Sequence, residues 1–456
     1  MLEIAFPMVV SNSCETLMLF ANRVFLSWVE PEYMSAAMAG GLTAFMFMTF
    51  FLGLTGYSTA LVAQHLGAGQ PRRCPAVVAQ ALLISFAAYP LLLLCMPLGH
   101  RMFETAHLPA EQLGPQRDYF DIILAGGILA LLRNSLSGFF SGIGRTRVVM
   151  FSTGLAMAVS VAASYVLVFG RLGLPALGVR GAAFSTVLGS FAGLVALAAA
   201  YFHPRTRREY GVTARLAPDL PLARRLFRFG APTGLEFFLN VMAFNFLVQT
   251  FHSYGVAEAA AITIAFSWDM VSFIPLMGVN VGVISLVGRY MGARDPDTAH
   301  RVTLSALRIA LVYSACTLAV YSLMPQPLVE IFRPRHDSAA FAEVRPLATF
   351  MVRLVALYVM ADAIGIVFGG ALRGAGDTFR TMLLTVSGHW LLALAGLVLV
   401  RVVHAPPRIT WIVVVMLVIA LGLVLYLRYR TGRWRHFRVI DTAAPAIATA
   451  EVSDPA

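Results

Sequence analysis

Lysine is missing from this chain and charge of any kind is scarce: 12% of its 456 residues are charged, against 59% apolar. Soluble domains carry charge on roughly a quarter of their residues, so a water-soluble globule is excluded and an integral membrane protein is expected. The net charge of +11 comes entirely from arginine. Those arginines are spread over short connections between apolar stretches, which argues for membrane topology rather than a nucleic-acid face. The four cysteines, Cys14, Cys74, Cys95 and Cys316, have no metal-ligand spacing and are expected to be free thiols. His65, His252, His389 and His404 show no ligand spacing either, and no nucleophile motif is visible. The stretch Gly67-Ala68-Gly69-Gln70-Pro71-Arg72-Arg73 lacks the lysine of a phosphate loop and reads as a helix stop with a basic turn. Neither an enzyme nor a resident cofactor is expected. The first apolar stretch lacks a basic leader and carries Glu15 in its middle, so it reads as a first span rather than a secretory signal.

What is present in abundance is long apolar sequence. A bilayer's hydrocarbon core is about 30 Å thick and takes about 20 residues of helix to cross, and all backbone polar groups must be satisfied within it. Twelve segments qualify: 4–27, 36–63, 75–98, 118–141, 148–170, 178–202, 226–252, 258–290, 301–325, 343–371, 379–401 and 408–427. An even count places both termini on one side. Alternate connections are rich in arginine, among them Arg72, Arg73, Arg205, Arg207, Arg208, Arg224, Arg225, Arg373, Arg380 and the tail from Arg428 to Arg438. The intervening connections are poorer in arginine and more acidic. Positive charge is retained inside, so both termini are expected in the cytoplasm.

The longest polar connection, His203 to Arg225, divides the spans into two groups of six. The halves resemble each other. Pro7 and Pro232 open the first and seventh spans at an offset of 225, and at the same offset Leu61-Val62-Ala63-Gln64-His65-Leu66-Gly67-Ala68 meets Leu286-Val287-Gly288-Arg289-Tyr290-Met291-Gly292-Ala293. Gly142-Ile143-Gly144-Arg145-Thr146 answers Gly374-Ala375-Gly376-Asp377-Thr378 at an offset of 232. Six spans per half make the repeats parallel, as in transporters that rock two bundles about a central cavity. The expected fold is all-α, with an N-terminal six-helix bundle (1–202), a cytoplasmic linker (203–225), a C-terminal six-helix bundle (226–427) and a basic, then disordered, cytoplasmic tail (428–456).

Carboxylates inside the spans carry the functional signal. An acid at mid-membrane costs roughly 2.5–3.5 kcal/mol on insertion scales, so it normally faces a cavity or a partner and marks an ion path. Glu15 shares a helical face with Asn12 and Asn22, and Glu236 and Asn240 stand one turn apart in the seventh span. By the repeat offset, Asn240 is the counterpart of Glu15. Asp269 has Ser272 one turn on, Asn280 on about the same face and Pro275 between them. Asp362 has Tyr358 one turn before it, and Gly365 and Gly369 on its face. The bland alternative pairs these acids with intramembrane arginines such as Arg133 and Arg353 and gives them packing roles only. Acids facing a wet cavity can exchange protons, and two or three of them can hold a dehydrated sodium ion; the residues alone leave both open. The abundant Phe and Met residues mostly face lipid or pack, with a minority suited to an adaptable apolar cavity.

From Leu2 to about Arg430 the chain resembles the multidrug and toxic compound extrusion (MATE) family. The resemblance rests on Ala5-Phe6-Pro7, Ala63-Gln64-His65-Leu66-Gly67-Ala68-Gly69, Gly230-Ala231-Pro232-Thr233-Gly234-Leu235, Ala361-Asp362-Ala363 and Gly370-Ala371-Leu372-Arg373-Gly374-Ala375-Gly376-Asp377-Thr378, in that order. It implies a V-shaped pair of six-helix bundles in the bacterial inner membrane. It further implies export of organic cations or amphipathic drugs in exchange for sodium or protons. By position, Asp362 matches an acid used by sodium-linked members, Asn240 stands where many relatives have that site's glutamate, and Asn22 stands where many have a first-span aspartate. Glu236 and Asp269 are expected to replace the missing charge beside Asp362, so that Glu236, Asp269 and Asp362 take the coupling ion, sodium or a proton, while Glu15 serves the N-terminal bundle. The expected partners are a small cationic or amphipathic substrate and the lipid bilayer, without nucleic acid, and the chain is expected to act as a monomer. The alternative is a flippase for a lipid-linked sugar or other amphipathic lipid. Its pyrophosphate-facing cavity would call for buried arginine, whereas the buried charges here are mainly acidic.

Overall fold

The computed structural model describes residues 1–105, 110–213, 216–333 and 338–440. Among the described residues there are helices and no strands, as every backbone group in lipid must be satisfied within its own segment. The first half contains α1 (Leu2–Val29), α2 (Pro31–Gly56), α3 (Ser58–Gly67), α4 (Cys74–Leu94), α5 (Met96–Thr105), α6 (Ala110–Ala125), α7 (Gly127–Gly142), α8 (Thr146–Phe169) and α9 (Gly178–Phe202). A short α10 (Pro204–Tyr210) follows. The second half contains α11 (Leu220–His252), α12 (Val256–Gly292), α13 (Pro296–Leu323), α14 (Pro325–Glu330), α15 (Ser338–Ala375), α16 (Thr378–Arg401) and α17 (Pro407–Arg430). Among the described residues eleven stretches are long and apolar enough to cross a bilayer, and α6 with α7, bent by 42° at Gly126, makes a twelfth when the pair is taken as one span.

The spans fall where hydropathy places them, with physical corrections at their ends. Spans two, three and four each contain a break, at Tyr57, Cys95 and Gly126. Hydropathy is blind to these because the residues on both sides are apolar. The connection expected over 203–225 is shorter, since α11 begins at Leu220 with Asp219 accepting the Leu222 amide at 3.0 Å as its cap. The tail expected to lose order after Arg438 instead keeps Val439 and Ile440 buried; residues 441–456 lie outside the described residues.

Within the first half α8 packs on α9 and α1, and within the second α15 lies against α12, α13 and α17 while α11 pairs with α16. The halves meet through α1 with α12, α3 with α12, and α2 with α11. Glycine lets the backbones touch there. A Cβ on Gly53 would sit 2.6 Å from the Gly234 Cα, one on Gly67 would sit 1.8 Å from the Arg289 carbonyl oxygen, and one on Gly292 would sit 2.0 Å from that of Gln64. Polar groups bind the same region: Gln64 donates to the Gly374 carbonyl at 2.8 Å and Ser285 to that of Ser141 at 2.7 Å. These contacts run from the arginine-rich end of the molecule to about its middle. Beyond α17 the chain returns over this end, where the Val439 side chain lies against Gly376 and joins Ile440, Tyr57 and Leu61 in one buried cluster.

Candidate functional site

Small residues set the register between α12 and α15. A side chain on Gly370 would meet Asn280 Oδ1 at 2.4 Å, and one on Gly374 would meet the Ile284 carbonyl oxygen at 2.8 Å. The two helices therefore run in the same direction with 280 opposite 370 and 284 opposite 374. Extending that stagger outward by two to three turns brings Asp362 level with Ser272, and Tyr358 level with Trp268 and Asp269.

The side chains meet accordingly. Asp269 is 8% exposed, and the buried Tyr358 hydroxyl faces its carboxylate. Asp362, half-buried, stands close enough for the two acids' charges to interact. Tyr321 of α13 completes the group, donating to the Trp268 carbonyl at 2.8 Å with its hydroxyl 2.8 Å from Ser272 Oγ. Among the described residues neither acid has a guanidinium partner, and Asp269 Oδ1 has no hydrogen-bond partner at all. Leaving two carboxylates uncompensated in an apolar site costs several kcal/mol per ion. An unpaired buried oxygen beside a second acid is therefore a place for a proton or a small cation.

Glu236 does not belong to this group. It is buried on α11, where both carboxylate oxygens accept from the Arg373 guanidinium and Oε1 also accepts from Thr385 Oγ1 at 2.7 Å. Arg373 was assigned from sequence to a cytoplasmic connection; instead it lies in the last turn of α15 and folds back to 3.3 Å from the Cβ position of Gly369. Seven residues separate Gly369 from Asp362, roughly 10 Å of helix. A sodium ion shared by Glu236, Asp269 and Asp362 is corrected accordingly: among the described residues no three His, Cys, Asp or Glu side chains converge as metal ligands. The physical reason is that a nearby guanidinium, carried past the expected end of its span, satisfies Glu236 first.

The MatE family model matches residues 7–166 and 232–399, one block in each half. The chain belongs to the MatE family. Among curated relatives, this MatE chain is 30% identical over 400 residues to the "Probable multidrug resistance protein NorM" of Bradyrhizobium diazoefficiens, covering 86% of this chain and 84% of that one. It is 24% identical over 443 residues to the protein of the same name from Thermotoga maritima, covering 96% and 94%. In fold it is similar to a MOP superfamily transporter from Pyrococcus furiosus, with a TM-score of 0.86, 19% identity and 96% of both chains covered. It is also similar to a structure described as the outward-facing conformation of a multidrug resistance MATE family transporter, with a TM-score of 0.83, 19% identity and 96% coverage of both.

In the N-terminal bundle of this MatE chain, Glu15 is paired with Arg133 at 2.7 Å, its side chain 45% exposed and that of Arg133 19%. Asn22 is buried and donates to Thr186 Oγ1 at 2.9 Å, leaving its own Oδ1 unpartnered among the described residues. Asn240 Oδ1 is similarly unpartnered. The structure thus gathers Asp269, Tyr358 and Asp362, and holds Glu15 and Glu236 in separate ion pairs. Arg353, proposed from sequence as a partner for buried acid, is exposed. Sequence reasoning missed Tyr321 and Thr385. A hydroxyl on an apolar span is too common a signal to single either out, because most such groups bond their own helix, as Thr385 also does to the Thr381 carbonyl at 2.9 Å.

Proposed function

We propose that this chain is an antiporter of the bacterial cytoplasmic membrane that exports organic cations or amphipathic drugs in exchange for sodium or protons. One observation carries the reading: Asp269 and Asp362 share an apolar site without a guanidinium among the described residues, with Asp269 Oδ1 unpartnered there and Tyr358 beside it. The names of the curated relatives, multidrug resistance proteins, support a drug cargo. The flippase reading lacks comparable support, since the arginines that would hold a pyrophosphate are committed to Glu15 and Glu236.

The arginine-rich end faces the cytoplasm in this reading. The halves touch there, which is the contact an outward-open state of the cycle needs. An entering cation neutralises the Asp269–Asp362 pair and removes the charge that keeps the site hydrated. Coupling follows when the cation binds the outward and inward states with different affinity. The protein acts as a monomer with both termini inside.

The test is efflux of a fluorescent organic cation from proteoliposomes, with the sodium and proton gradients collapsed separately. One gradient should prove necessary. Asp362→Asn and Asp269→Asn should each lower driven flux at least about tenfold, as expected for a group used directly in coupling. Unchanged flux in both variants, or transport indifferent to both gradients, would reject the reading.

A further inference from the structure

A second built site lies at the arginine-rich end, away from the acids. It is a pocket of about 540 Å³ between the ends of α13, α15 and α17 and the turn that follows α17. Gly432, at φ +68°, reverses the chain after the last span and lays residues 433–436 back over the helix end. Buried Trp434 locks that turn: its ring stacks on Tyr429 at 4.9 Å and 16°, and its indole N–H donates to the Tyr429 carbonyl at 3.1 Å. His300 of α13 closes the other side of Tyr429, its Nδ1 2.9 Å from the phenol oxygen. The turn is therefore a fixed aromatic wall.

Three guanidinium groups stand on that wall. Arg430 lies over the Tyr426 ring at 5.9 Å and Arg435 over Trp434 at 5.5 Å, the latter also held by Asp297 at 3.0 Å. Arg430 and Arg433 are exposed, neither has an acidic partner among the described residues, and no acid is among the lining residues. By contrast Arg428, two residues before Arg430, is neutralised by Asp377 at 2.5 Å. Leu304, Phe368 and Tyr426 give the pocket an apolar wall on the span side of the turn. The pocket thus joins uncommitted positive charge to an apolar face at the level where a span leaves the bilayer. Arginine matches phosphate bidentately, and basic pockets between spans on the cytoplasmic side suit anionic headgroups.

We propose that this pocket holds the headgroup of an anionic phospholipid, its phosphate on Arg430 and Arg433 and its glycerol and first acyl carbons against Leu304, Phe368 and Tyr426. The apolar wall sets the lipid apart from free phosphate, which has no use for it.

The experiment titrates detergent-purified full-length protein with short-chain phosphatidylglycerol, short-chain phosphatidylcholine and inorganic phosphate, and counts retained lipid by native mass spectrometry. Phosphatidylglycerol should bind saturably and phosphatidylcholine should not; phosphate should bind far more weakly and compete. Arg430→Gln with Arg433→Gln should weaken phosphatidylglycerol roughly tenfold or more, the loss of a bidentate charge-assisted contact. Arg72→Gln with Arg73→Gln, equally basic but outside the pocket, should not. Leu304→Trp, which fills the apolar wall without touching charge, should weaken the lipid and spare phosphate. Equal phosphatidylglycerol affinity in the pocket variant, equal loss in the Arg72 and Arg73 control, or phosphate binding as tight as the lipid would overturn the assignment.

Discussion

At the scale of single residues, the two kinds of buried acid in this protein behave oppositely when changed. Glu236→Gln strands the Arg373 guanidinium in an interior where a broken pair costs about 3–5 kcal/mol, so its thermal unfolding temperature in detergent should fall well below the parent's. Replacing both partners together, Glu236→Leu with Arg373→Met, should recover most of that loss. Full recovery of stability alongside retained flux would confirm a packing role, whereas a double variant that is stable yet inactive would return Glu236 to the coupling machinery. Asp269→Asn should cost little stability, because Oδ1 gives up no partner. Part of this level was legible in the sequence: an acid in an apolar span is a conspicuous expense, which singles out Asp269 and Asp362, and Tyr358 follows as the residue one turn before Asp362. The partnership of Glu236 was not. It depends on Arg373 lying inside α15 rather than beyond it, a difference of a few residues that hydropathy does not resolve, and on a side chain long enough to reach back along its own helix.

Between elements, the decisive feature is that helices of opposite bundles cross with backbone against backbone. Adding bulk at Gly67, whose Cβ would fall 1.8 Å from a carbonyl oxygen of Arg289, penalises only the arrangement in which this end is shut. Overpacking of a tight contact costs on the order of 1–3 kcal/mol, enough to shift a two-state equilibrium roughly fivefold to a hundredfold. Gly67→Leu should therefore lengthen the distance between spin labels on α3 and α12, measured by pulsed electron resonance in nanodiscs, while secondary structure is unchanged. An unaltered distance distribution would mean the crossing does not govern closure. The glycines at these places were visible as part of the internal repeat, Gly67 answering Gly292. What they touch was not, because sequence carries the need for a small residue without naming the neighbour that imposes it. The breaks at Tyr57, Cys95 and Gly126 were hidden for a related reason, since a helix can stop and restart in lipid without any change in polarity.

For the molecule as a whole, the helical class and the run of eleven to twelve apolar spans could be read from hydropathy. The seam between the halves was out of reach, as it is built from parts distant in sequence: α1 and α3 against α12, α2 against α11, and the end of the chain against Tyr57 and Gly376. That last contact makes a prediction of its own. Burying a Val or Ile side chain is worth about 1.5–3 kcal/mol, so Val439→Ser with Ile440→Ser should loosen the seam. In a cysteine-free background, Ser285→Cys should then react with a water-soluble maleimide roughly tenfold faster or more from the arginine-rich side; an unchanged rate would show that these two residues only rest upon a seam held shut by other means. The same geometry bears on how the protein is handled. A bulky label attached at Val439 or Ile440 would press directly on the contact with Tyr57 and Gly376, so reporters are better carried on the opposite face.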